Sequence, residues 1–116
     1  MAYDFSRLAN IQTIADSAGS LYANPISKKS FITGIIIHNT NTTAETVILY
    51  NVPDSAASLG AAAVTNQIFK KDIEPNDTIE WDLPKPGIIL EDQNDSLQGT
   101  TTTASKVTIT LMGAVE

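Results

Sequence analysis

The segments TIEWDL and KVTITLMGAV alternate apolar and polar residues with a period of two, and hardly any part of the chain sustains the 3.6-residue period of a helix. In the first, Ile79, Trp81 and Leu83 share one face while Thr78, Glu80 and Asp82 share the other. In the second, Val107, Ile109 and Leu111 turn inward against Thr108 and Thr110. Branched side chains suit such a pleated, half-buried surface. The alternation therefore predicts antiparallel strands with one face on a core.

Less regular strand segments run over Ile11–Ala15, Leu21–Asn24, Phe31–His38, Glu45–Val52, Gln67–Ile73, Gly87–Leu90 and Ser96–Thr101. The residues between them, in EPND, LPKPG and DQND, are those that fix or permit turn dihedrals. Pro84 and Pro86 remove two backbone donors, which places LPKPG in a connection or along an edge. The stretch DSAASLGAAAVTNQ reads as a loop carrying one helical turn, since Gly60 and the lack of large apolar anchors weaken a longer helix. The fold expected is all-β, an antiparallel β-sandwich with a jelly roll among its permitted connections. Residues 1–20 form an irregular N-terminal arm or first strand, and residues 21–116 form the sandwich domain.

With 116 residues, 42% of them hydrophobic, the chain suffices for one domain with a real core. It has no cysteine, which removes disulfides, thiolate metal sites and a cysteine nucleophile. Its net charge of -6 works against a phosphate backbone, so no nucleic-acid partner is expected. No apolar run approaches the length that spans a bilayer, and MAYDFSRLAN lacks a secretory pattern, so no membrane partner is expected and synthesis is assigned to the cytoplasm.

Chemical motifs are sparse. His38 is the single histidine, and at the end of GIIIHN it reads as a sheet-end or interface side chain, not a general base. G-x-S-x-G, P-loop and G-x-G-x-x-G patterns do not occur. No cofactor and no enzymatic activity is expected. The stretch Glu91–Asp95 offers calcium-type oxygen ligands without EF-hand spacing, and reads as a solvated inter-strand turn. Glu80, Asp82 and Glu91 read as the polar face of a strand and its turn, not as a glycosidase pair. The sequons at Asn41, Asn76 and Asn94 read as turn chemistry.

Two strands break the simple rule. In FITGIIIHN, strict alternation puts Phe31, Thr33, Ile35 and Ile37 on one face and Ile32, Gly34, Ile36 and His38 on the other. In ETVILYNV, Val47 and Leu49 oppose Ile48, Tyr50 and Val52. One apolar face fills the core; the other is covered either by a second copy or by the chain's own N-terminal segment or Ala-rich loop.

The stretches IIIHNTNTTAETV, VPDS, ILEDQNDSLQG and TTASKVTITLMG, within Tyr22–Glu116, resemble small structural proteins of tailed bacteriophages. That resemblance implies a β-sandwich virion component, preferentially a capsid decoration or cement protein. It implies a homotrimer bound to the major capsid protein on the outer capsid surface, made in the host bacterial cytoplasm. A neck, tail or fibre-associated protein is the nearest alternative. On this reading Ile36, His38, Ile48, Tyr50 and Val52 form the self-association face, or the opposite set does if inside and outside are exchanged, and Tyr3, Phe5, Leu8 and Ile11 contact the capsid and order on contact. A carbohydrate-binding sandwich is the alternative from another class; it needs exposed aromatic platforms, whereas Trp81 falls on a core face.

Overall fold

The alternating segments form strands in the structure, a computed structural model that describes residues 6–116. In chain order these are β1 (Ser6–Arg7), β2 (Gln12–Thr13), β3 (Gly19–Ala23), β4 (Ser30–Asn39), β5 (Glu45–Val52), β6 (Gln67–Ile73), β7 (Thr78–Asp82), β8 (Ile88–Leu90), β9 (Ser96–Thr101) and β10 (Val107–Val115). Every segment expected as a strand contains one, and β1 is an addition. The loop after β5 carries a single 3-10 turn at Val64–Asn66. Among the described residues no helix is long and apolar enough to cross a membrane.

The strands form two antiparallel sheets packed face to face. One has the order β1-β10-β4-β7, with β2 also pairing β10 and β8 also pairing β4; the other has the order β3-β9-β5-β6. If β1 with β2, and β7 with β8, are taken as interrupted single strands, the pairings nest. The first strand pairs the last, β3 pairs β9, β4 pairs β7 and β8, and β5 pairs β6. A long hairpin rolled into two four-stranded layers is a jelly roll.

The core lies between the layers. Ile35, Ile37, Ile109 and Leu111 from one sheet meet Val47, Leu49 and Leu97 from the other, all 1% exposed or less. Each such side chain contributes about 1.5–3 kcal/mol through burial. Trp81 and Phe69, 5.2 Å apart between ring centroids, belong to different sheets and close one flank.

Strict alternation fails in β4, which changes the apolar side chains that it sends to the core. Pairing with β10 runs through Met112↔Gly34 and resumes at Gly113↔Ile32, which leaves Thr33 as an extra residue. Such a bulge reverses the inside and outside assignment beyond it. Ile32 consequently joins Ile35 and Ile37 in the core, while Phe31 turns to the other face. In β5, Ile48 and Tyr50 do face outward, but Val52 is 1% exposed because the loop after β5 folds over it. Gln98 fastens that loop through its Nε2, which donates to the Gly60 carbonyl at 2.8 Å. The Ala-rich loop, not a second copy, covers Val52.

The N-terminal segment is built into the sandwich over its described length. Leu8 donates its amide to the Leu111 carbonyl and packs on the core. Ile14 is fully buried and donates to the Val107 carbonyl, after which Ala15 accepts from the Thr101 amide on the opposite sheet. The chain thus crosses between layers here instead of forming a loose arm.

Candidate functional site

Nested strands bring their connections together at the two ends of the sandwich, and each end is fastened by one buried asparagine and one carboxylate. At one end Asn24, 1% exposed, donates its side-chain amide to the carbonyls of Lys28 and Asp92 and accepts from the Ser30 hydroxyl at 2.6 Å. Ser30 in turn lies 2.8 Å from the Tyr22 hydroxyl. Beside it Asp95 accepts the amides of Glu91 and Asp92 on Oδ2 and of Asp54 on Oδ1. Three separate connections are tied by these contacts.

The opposite end repeats the device. Asn39, fully buried, donates to the carbonyls of Thr43, Ile73 and Glu74 and accepts the Asn41 amide. Glu45, 1% exposed, accepts the Thr103 amide at 2.8 Å and the Asn41 side-chain amide at 2.9 Å. Asn76 and Asn94 have φ of 58° and 67°, so these two sequons are turn residues in the left-handed region, as their composition implied.

The carboxylates Asp54, Asp92 and Asp95 place ligand atoms within 4.8 Å of one another. Two of them belong to Glu91–Asp95, the stretch read from the sequence as a solvated turn with calcium-type oxygens, and the fold adds Asp54 from a distant loop. Oxygens at this spacing suit a divalent cation in kind. Both oxygens of Asp95 and Oδ2 of Asp54, however, already accept backbone amides. Those bonds explain the cluster as a loop clasp.

Burial opposes ionisation of Asp95, but the amides of Asp92, Asp54 and Glu91 outweigh it and hold its pKa below the ordinary aspartate value. For Glu45 burial likewise opposes the charge, and Asn41, Thr103 and the Lys106 charge together overcome it. A carboxyl whose pKa is lower folded than unfolded adds stability above its unfolded value, near pH 4, and that contribution fades as pH falls toward the folded value. The urea midpoint is therefore expected to drop between pH 5 and pH 3. Asp95→Asn should flatten that drop; an unchanged pH profile in the variant would show that the clasp does not require ionised Asp95.

The five residues expected to form one self-association face do not share a surface. Ile36 and His38 lie on the outer side of the sheet holding β4, whereas Ile48 and Tyr50 lie on the outer side of the opposite sheet and Val52 is covered. Patches on opposite outer faces, joined head to tail, stack copies into an open row and not a closed ring of three. His38 Nδ1 sits 2.7 Å from the Thr78 hydroxyl across the strand pair, which gives it the sheet-end role read from the sequence. Of the expected capsid contacts, Leu8 packs on the core and Ile11 is 56% exposed. Tyr3 and Phe5 lie outside the described residues. Sequence reasoning missed both asparagine clasps, although an Asn closing an apolar strand, as in GIIIHN, is the visible trace of one.

Compared with known proteins, the chain matches no protein-family model and no curated sequence.

Proposed function

We propose that the chain is a non-enzymatic structural component of a tailed-phage virion, a decoration or cement protein that binds the major capsid protein on the outer capsid surface. The observation that carries the reading is the jelly roll clasped at both ends by Asn24 with Asp95 and Asn39 with Glu45. A cementing protein needs a stiff frame that transmits force between shell subunits, and paired polar clasps built on buried asparagines stiffen the connections that a sandwich leaves loosest. The sequence resemblance supports the same assignment. Jelly rolls serve capsid and lectin domains alike, so the fold by itself does not choose between them. Trp81 tips the choice: a sugar-stacking platform must face solvent, and this ring packs toward the core against Phe69. A neck, tail or fibre position remains the alternative within the virion class, and a homotrimer would need a seam other than the five residues first assigned to it.

The test uses heads of the encoding phage prepared without this chain. Purified protein should pellet with them, saturating at a fixed ratio to the capsid protein, and should raise the temperature at which they burst. Protein that stays in the supernatant overturns the shell role, and a map of the particle with the chain at the neck or tail moves it there.

A further inference from the structure

The outer face of the sheet holding β4 and β10 carries opposite charges on opposite edges. One row across it reads Asp82, Gly34, Met112, Arg7, from β7 through β4 and β10 to β1. The next reads Glu80, Ile36, Thr110. The inward neighbours of these residues, Trp81, Ile35 and Leu111, pack in or against the core, which fixes this set as the outward one. Acid thus occupies the β7 edge, base the β1 edge, and Ile36 and Met112 the middle. Both central side chains are half-buried, and the three charged ones are exposed. Next to Met112 a shallow depression of about 340 Å³ is lined by Ser6, Arg7, Thr110 and Met112.

We infer that this face is where a second copy of the chain docks, related by a two-fold axis that lies in the contact plane and runs parallel to the strands. Rotation about that axis exchanges left and right edges. It sets Arg7 of one copy opposite Glu80 and Asp82 of the other, twice, and carries Ile36 of each copy over the other's β10, toward the depression beside Met112. A two-fold contact requires a patch complementary to itself, and an acid-to-base gradient across an apolar centre meets that requirement. A two-fold axis perpendicular to the strands sets acid against acid and is disfavoured. Size permits the contact: the molecule measures 43 × 30 × 21 Å, and stacking on a broad face can reach the roughly 800 Å² per partner typical of specific interfaces. This inference goes beyond the shell-binding reading and does not rest on it.

Sedimentation equilibrium of the full chain tests it. The wild type should run at twice the chain mass. Arg7→Glu, which makes every charge of the row pair acidic, should weaken the dimer at least about tenfold, and so should the double change Glu80→Arg with Asp82→Arg. An equimolar mixture of the two variants should regain the two-chain mass, because each supplies the charge the other lacks. Single-chain or three-chain mass for the wild type overturns the inference, as do variants that remain dimeric or a mixture that stays apart. If a variant fails to fold by thermal melting, Arg7→Gln in the wild-type background is read the same way.

Discussion

Gly113→Ala is expected to destabilise the fold by about 3 kcal/mol or more, at the upper end of what overpacking costs. A Cβ at Gly113 falls 1.8 Å from the Phe31 carbonyl oxygen and 2.9 Å from its carbon. Both atoms are backbone, so no side-chain rotation relieves the clash. The close approach falls where β10 passes the Thr33 bulge of β4. Gly34→Ala is the control, one residue pair away. Its Cβ meets the Met112 Cε at 3.0 Å, the far end of a flexible side chain. That change should shift stability by less than about 1 kcal/mol, since removing the conformational freedom of glycine partly offsets any crowding. Guanidinium midpoints with unchanged slopes provide the measurement. Equal effects at both positions would dismiss the bulge as the reason for glycine.

Asn39→Asp should cost about 3 kcal/mol or more at neutral pH, although the two side chains have nearly the same shape. The amide donates to three carbonyl oxygens, at 2.9 Å for Ile73, 3.0 Å for Thr43 and 3.3 Å for Glu74. A carboxylate only accepts, so the substitution points negative charge at those oxygens in a fully buried position. Against the 5–15 kcal/mol that holds a typical domain together, such a loss is large. The pH sense identifies the mechanism. Protonation returns one donor to the carboxyl, so the deficit of the variant relative to wild type should shrink as pH falls toward 4. A deficit independent of pH would assign the loss to shape and not to hydrogen bonding.

How much of this could be read from residues differs by element. Alternation over Val107, Ile109 and Leu111 and over Ile79, Trp81 and Leu83 marks both strands and their inner faces, because a period of two depends only on local geometry. The inner face of β4 was not legible. One extra residue at Thr33 exchanges Phe31 with Ile32, and nothing within FITGIIIHN marks where the pairing slips; the partner glycine sits on a strand some eighty residues away. Sequence separation also hid the clasps: Asp54 meets Asp95, and Asn39 meets Ile73, only after the sheets have formed. Placing Ile36 and Ile48 on a common surface failed for a related reason. Each faces outward, but which sheet a strand joins follows from strand order, and no single strand encodes that.

The nested pairing also governs the order in which the sheets can be completed. Among the described strands only β5 and β6 join as near neighbours along the chain, while Ser6 finds its partner at Gly113. Each enclosing pair must gather segments farther apart than the pair it surrounds, at a growing entropic cost of closure. Assembly from the middle outward is thus the cheapest path. A nascent polypeptide still lacking β10 has no seat for its own first strand.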